Sequence, residues 1–324
     1  MELGSVRELK QSWSTRVTTR GVTGAQVARG QARTAGPVAL GAAPRGSGYA
    51  LAVRYRHEGP LVARLVERLR DEVGEREVDV RRIGPVRALT TPTMEQLQGR
   101  LRPLVPGCSI CHEVDTAGTL GAVVERDGER FLLSNSHVLA RAGLASPGDP
   151  VLQPGPADGG TAQDRVGVLE SWSPLDPDDA NRVDAALARP DAGVEVDLTG
   201  VPTTTAVLDG DELVEKLGRT TGLTRGRVTA IEVDDVVVDF GGDVGLLRFD
   251  GQVEVSGAAG GPDGTAGPFS RGGDSGSLVR LAGGGSAVGL LFAGSEAGGD
   301  DGLGMTFCNV VDDVLGGFGV ILAG

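Results

Sequence analysis

The chain of 324 residues carries 44 acidic against 31 basic side chains, and its formal charge of −13 would repel a phosphate backbone, so nucleic acid is not an expected partner. Forty per cent apolar and 23 per cent charged residues are globular values, whereas 53 glycines and only 3 per cent aromatics favour many turns and short strands. No stretch is long and apolar enough to span a bilayer, the first twenty residues hold no apolar run of signal-peptide length, and three cysteines make no disulfide framework, so a soluble cytoplasmic protein is expected.

Residues 1–46 are rich in Gly, Ala, Arg, Thr and Ser and read as a flexible arm with one short helix over 6–13. Residues 47–104 read as a small β-α-β module and linker. Within it residues 49–55 alternate as a strand, Leu61, Leu65, Val66 and Leu69 recur at helical spacing, and residues 78–83 alternate again. Pro92, Pro103 and Pro106 punctuate the linker. From residue 105 to the end the chain becomes a succession of short strand-like runs: 119–125, 130–134, 166–171 and 183–188, then 227–233, 236–240, 246–249, 277–281 and 287–293. Glycine- and aspartate-rich turns separate them at intervals typical of antiparallel barrels or sandwiches, and residues 310–315 read as a short closing helix.

Only three histidines can supply a general base. His57 lies in a polar turn and reads as a solvated surface residue, and His112 follows a cysteine. His137, in Leu133-Ser134-Asn135-Ser136-His137-Val138-Leu139, ends a buried strand, where a base is held rigidly yet stays open to substrate. Ser275 sits in Gly272-Gly273-Asp274-Ser275-Gly276-Ser277, whose glycines allow a tight turn that gathers backbone N–H groups. Taken alone this is an ordinary turn in a glycine-rich chain. Asp176, Asp178 and Asp179 crowd a hydrophilic loop, whereas Asp184 is one charge in the apolar run Val183-Asp184-Ala185-Ala186-Leu187-Ala188. A buried carboxylate requires a partner, either His137 or a structural arginine.

Together these segments resemble the trypsin-like peptidase family. Ser134-Asn135-Ser136-His137-Val138-Leu139-Ala140 matches the segment around its histidine, Val183-Asp184-Ala185-Ala186-Leu187-Ala188 the aspartate, and Gly272-Gly273-Asp274-Ser275-Gly276-Ser277 the serine, in the family's order and 47 and 91 residues apart. Lys216-Leu217-Gly218-Arg219-Thr220-Thr221-Gly222 is similar to the segment that opens the second barrel in bacterial members. Val151-Leu152-Gln153-Pro154-Gly155 with Asp158-Gly159-Gly160 resembles a bacterial subgroup related to the plant narrow-leaf-type proteases. The resemblance covers about residues 105–324.

It implies a mainly β fold of two six-stranded antiparallel barrels, preceded here by the small module, and a serine endopeptidase acting on polypeptide without a cofactor. Ser275 would be the nucleophile, His137 the base, Asp184 its orienting carboxylate, and the N–H groups of Gly273 and Ser275 the oxyanion hole. Phe269, six residues before the serine, would floor the primary pocket, with Leu291, Phe292 and Ala293 as a wall. An aromatic floor without an acid points to a small or medium apolar side chain in the substrate. A homo-oligomer is compatible with the sequence.

Two other function classes stay open at this stage. A non-catalytic scaffold would hold peptide in the cleft between the barrels. A redox or metal protein would use Cys108-Ser109-Ile110-Cys111-His112, which formally matches the c-type haem signature C-x-x-C-H, or zinc on Cys108, Cys111, His112 and Cys308. No export signal accompanies the first, and the second lacks a paired ligand spacing, so neither haem nor metal is expected.

Overall fold

The computed structural model describes residues 1–20, 38–55, 59–82, 92–258, 267–298 and 302–324. His57, Ile83 and the side chain of Leu61 lie outside what is described. The chain divides into two compact units, Met1–Thr90 and Thr91–Gly324.

In the first unit helix α1 (Leu3–Arg20) is followed by strands β1 (Val38–Arg45) and β2 (Gly48–Tyr55), helix α2 (Pro60–Val73) and strand β3 (Val78–Arg82). β1 and β2 form an antiparallel hairpin, and β2 pairs in parallel with β3 through the α2 crossover. Leu51 and Val53 on β2, Leu69 on α2 and Val78 on β3 share one core with Val6 and Trp13 of α1. The expected β-α-β module is therefore present. In place of a flexible arm, however, the described part of residues 1–46 is helix and strand, because the apolar face of the small sheet needs Val6 and Trp13 to cover it.

The second unit begins with helix α3 (Met94–Gln98), closed at its N-terminus by Thr93 and Gln96 in a reciprocal cap. Leu97 and Leu104 are fully buried in the next core, so the expected linker instead packs as part of this unit. Its first set of strands comprises β4 (Ser109–His112), β5 (Gly118–Thr119), β6 (Ala122–Arg126), β7 (Glu129–Ser134), β8 (Pro150–Leu152), β9 (Arg165–Trp172), β10 (Ala180–Asn181) and β11 (Ala186–Pro190); helix α4 (Ser136–Leu139) follows β7. The second set comprises β12 (Leu213–Gly218), β13 (Gly222–Val233), β14 (Val236–Asp239), β15 (Leu246–Phe249), β16 (Gln252–Gly257), β17 (Leu278–Leu281), β18 (Ala287–Gly294) and β19 (Met305–Val310). Helix α5 (Val311–Phe318) and strand β20 (Ile321–Leu322) end the chain.

The architecture is mainly β, as expected. Strands β12-β13-β16-β19-β18-β17 close into an antiparallel barrel around Val214, Val228, Val255, Phe269 and Leu291. Eight more strands order as β20-β6-β7-β11-β9-β8-β4-β5, while β10, β15 and β14 form a separate small sheet; β5 leads directly into β6 as one bent segment of chain. Before the bend it pairs with β4, with Leu120 N–H donating to Cys108 O; beyond it Gly121 N–H donates to Leu133 O of β7. Six strands thus encircle a core of Ile110, Leu120, Leu132 and Leu169, with β20 added outside on β6. A third cluster, including Ala122, Leu133, Leu278 and Leu290, lies where the two barrels meet. Among the described residues no helix is long and apolar enough to cross a membrane.

Candidate active site

His137 stands on α4, a single helical turn fixed by Val138 and Leu139, whose side chains sink into the first core. Asp184 was expected inside a strand. It lies instead in the irregular stretch just before β11, because its backbone groups are taken by side chains rather than by a ladder: its N–H donates to Asn309 Oδ1 at 3.0 Å and its carbonyl accepts from Asn135 Nδ2 at 2.7 Å. Asn309 is itself held by Gln252 Oε1 at 2.8 Å, so a buried amide network from the second barrel positions a residue of the first. None of these amides was singled out in the sequence.

The Asp184 carboxylate is fully buried and accepts from His137 twice, from the backbone N–H at 3.2 Å and from Nδ1 at 2.5 Å. Among the described residues no arginine answers it; Arg182, the nearest in sequence, pairs with Asp313 at 3.3 Å. Burial by itself would depress the His137 pKa, but the charge of Asp184 and its hydrogen bond outweigh burial, Asp115 adds to them, and the pKa stands above the usual histidine value. A ring that donates from Nδ1 has its acceptor lone pair on Nε2, the tautomer a general base needs.

His137 and Ser275 line one cleft of about 760 Å³. Ser275 Oγ donates to Phe292 O at 3.4 Å, a long bond that leaves the hydroxyl weakly committed. Around it the backbone turns sharply, with Gly273 at φ +93° and Gly276 at φ +95°. A Cβ on Gly276 would collide with Ser134 Oγ and Thr119 O, so glycine is required there for space as well as for conformation. Among the described residues neither the Gly273 nor the Ser275 N–H donates to a protein acceptor. Gly273 is not among the residues that line the cleft, whereas Gly272 and Ser275 are.

The serine turn is anchored from both barrels. Thr119 of β5 donates its N–H to Ser275 O at 2.8 Å and its hydroxyl to Gly273 O at 2.9 Å. From the second barrel, Asp274 accepts from the N–H groups of Thr220 (2.9 Å), Thr221 (3.1 Å) and Arg271 (3.0 Å) and from Thr221 Oγ1 (2.7 Å). Lys216 Nζ lies 3.3 Å from Asp274 Oδ2, and both side chains are fully buried. Burial lowers the Lys216 pKa more than the charge and hydrogen bond of Asp274 raise it. Lys216 and Arg219 belong to a segment noted in the sequence, but nothing there marked Lys216 as the counter-ion of Asp274.

Leu291, Phe292 and Ala293 line the cleft at the end of β18. Phe269 does not. Its ring is buried in the core of the second barrel with Val214, Val228 and Val255, and its carbonyl accepts from Thr224 Oγ1 at 2.7 Å. An aromatic ring this size gains more from that core than from a wet cleft. Pro268 and Ser270 border the cleft in its place, so Phe269 does not floor the cleft. Phe240, unmarked in the sequence, also lines the cleft, its ring meeting that of His137 edge to face at 5.6 Å between centroids.

Ser109–His112 of the cysteine motif form strand β4, and Cys108 immediately precedes it. Cys108 and Cys111 are separate buried thiols in the first core, while Cys308 is in the second, so the four ligands considered for zinc are not gathered. His112 Nε2 faces Asp149 Oδ2 at 3.2 Å. Among the described residues no group of three or more His, Cys, Asp or Glu is placed to hold a metal ion.

No protein-family model matches the chain, and no curated protein matches it. Solved structures similar to it include a glutamic-acid-specific serine protease described as using a histidine triad in substrate binding, with 22% identity over 68% of this chain and 100% of that one and a TM-score of 0.48. Protease A of Thermobifida fusca is similar at 18% identity over 68% of this chain and 98% of that one, TM-score 0.45. A Nocardiopsis protease is similar at 19% identity over 68% and 99%, TM-score 0.46.

Proposed function

We propose that this chain is a serine endopeptidase that hydrolyses peptide bonds with Ser275, His137 and Asp184. The observation that carries the reading is the 2.5 Å bond from His137 Nδ1 to a carboxylate that has no other cationic partner among the described residues, in a cleft that also holds a serine on a glycine-flanked turn. His137 Nε2 takes the proton of Ser275 Oγ as this oxygen attacks the substrate carbonyl, and Asp184 stabilises the imidazolium so formed. The proton passes next to the leaving amine, and water repeats the sequence to release the acid. The uncommitted N–H groups of Gly273 and Ser275 receive the negative charge of the tetrahedral intermediate. Ser275 Oγ leaves Phe292 O for His137 Nε2 when substrate is seated. Within the trypsin-like class we assign the chain to the bacterial subgroup related to the narrow-leaf-type proteases, on the segments beginning at Val151 and Asp158.

Labelling with a fluorophosphonate probe tests the reading. The native chain is expected to take up one label, and Ser275→Ala none; an unlabelled native chain, or undiminished label on Ser275→Ala, overturns it.

A further inference from the structure

The peptide that joins Gly272 to Gly273 carries the first of the two N–H groups assigned to the tetrahedral intermediate. Neither residue has a Cβ, and one added at Gly272 would meet nothing within 4 Å, so rotation of this peptide meets little steric resistance. Turned over, it would aim a carbonyl oxygen at the developing oxyanion in place of a donor. The peptide is trans, and its C=O and N–H point in opposite directions. Whatever holds Gly272 O therefore aims the Gly273 N–H.

Thr220 holds it. Its Oγ1 donates to Gly272 O at 2.9 Å, and Thr220 is not among the residues that line the cleft, so the carbonyl is drawn away from the cleft and the N–H is turned the opposite way. The hydroxyl has one proton, and Arg219 decides where it goes: Arg219 Nη1 donates to Thr220 Oγ1 at 3.1 Å, which leaves that proton to Gly272 O. The guanidinium is fixed in turn by Asp158, in the turn after β8, which accepts from Nε at 2.9 Å and from Nη2 in a largely buried fork. Arg219 Nη1 and Thr220 Oγ1 occupy the space where a side chain on Gly273 would stand. Among the described residues none of the three hydrogen-bonds to His137 or Asp184.

We propose that Asp158, Arg219 and Thr220 are positioning residues for the oxyanion hole, a chain of hydrogen bonds from the first barrel that locks the Gly272–Gly273 peptide with its N–H toward the substrate carbonyl. This deepens the endopeptidase reading and rests on it. A donor fixed in advance costs no reorganisation when charge develops, so the lock acts on the transition state rather than on substrate binding. The charge at the far end of the chain polarises the Thr220 hydroxyl and strengthens its hold on Gly272 O.

The experiment measures the rate of fluorophosphonate labelling of wild type, Thr220→Val and Thr220→Ser across pH. Negative charge builds on the phosphoryl oxygen of the probe as Ser275 attacks, so the rate reports the oxyanion hole. Thr220→Val keeps the shape and removes the hydroxyl, and it is expected to label roughly tenfold or more slowly, the worth of one charge-assisted hydrogen bond. Its pH midpoint of labelling should match wild type, because the base is untouched, and Thr220→Ser should regain most of the rate. Asp158→Asn with Arg219→Gln strands no charge and is also expected to label more slowly. Adding Thr220→Val to this pair should not multiply the two losses, since all three side chains act on one peptide. Labelling of Thr220→Val at the wild-type rate, Thr220→Ser as slow as Thr220→Val, a shifted midpoint or fully multiplied losses overturns the proposed lock and leaves the endopeptidase reading intact. Absence of label on wild type overturns that reading and this inference together. Should Thr220→Val fail to fold, Thr220→Ala is measured in its place, and failure of both to fold overturns a role confined to positioning.

Discussion

Lys216 and Asp274 form an ion pair 3.3 Å long in which neither side chain reaches solvent, and the aspartate immediately precedes Ser275. A charge pair in this setting is a poor source of net stability, but removing one member strands the other in a low-dielectric interior. Lys216 shares the anchoring of the Asp274 carboxylate, and with it of the serine turn, with Thr220, Thr221 and Arg271.

Lys216→Met is accordingly expected to cost about 3–5 kcal/mol in denaturant unfolding, the range for one-sided loss of a buried pair. Lys216→Met with Asp274→Asn should recover a substantial part of it, because no unpaired charge is left. Both variants should label poorly with fluorophosphonate. If Lys216→Met alone unfolds within about 1 kcal/mol of wild type, the pair is not the support described.

The pH dependence follows from His137. Its pKa is raised, so at pH 6.5 the protonated imidazole, which cannot act as base, is in excess. kcat/KM is expected to rise with pH through a midpoint above 6.5. The stabilising imidazolium–carboxylate attraction has the opposite course: it is complete below the unfolded value and is lost as pH rises through the raised folded one. In Asp184→Asn burial prevails and the acid limb should move below 6.5, with turnover reduced by about 10⁴-fold. A pH–rate profile of the two proteins measures both shifts, and an unchanged midpoint contradicts the assignment.

Gly276→Ala tests the turn. The left-handed backbone at φ +95° costs about 1–3 kcal/mol with any side chain, and the added methyl meets Ser134 and Thr119. A lower Tm and strongly reduced labelling of Ser275 are expected. Gly272→Ala, where a Cβ would meet nothing within 4 Å, is the matched control and should retain both properties.

The cysteines should be inert. Desolvation pushes the thiols of Cys108 and Cys111 up to about 12 and raises Cys308 as well. Thiolate is the reactive species, so iodoacetamide at pH 8 is expected to modify none of the three in the native chain and all three after denaturation. Rapid modification of native Cys111 would contradict its burial.

What the sequence made legible was chemistry placed in an unlikely setting. Asp184 betrayed itself as a charge among apolar residues, and His137 as a polar group at the end of a buried strand; the structure joins them by a hydrogen bond. The alternation of residues 246–249 and the apolar run 287–293 marked β15 and β18 closely. Contacts between distant segments left no such mark. Asn309 and Gln252 support Asp184 from the other barrel, Lys216 finds Asp274 across the turn, and Phe240 reaches His137 from a hairpin, all by closure of the chain rather than by local pattern. Phe269 failed for a related reason. Counting six residues back from Ser275 locates a position but not the side of the barrel wall to which its ring points.

Thr119 ties Ser275 and Gly273 to the half of the molecule that carries His137, using one backbone and one hydroxyl bond. The seam between the barrels therefore sets the alignment of base and nucleophile, while each barrel keeps its own apolar interior. Loss of competence and loss of fold are consequently separable events: slippage at the seam silences the cleft with both interiors still dry, so inactivation on heating should run ahead of unfolding.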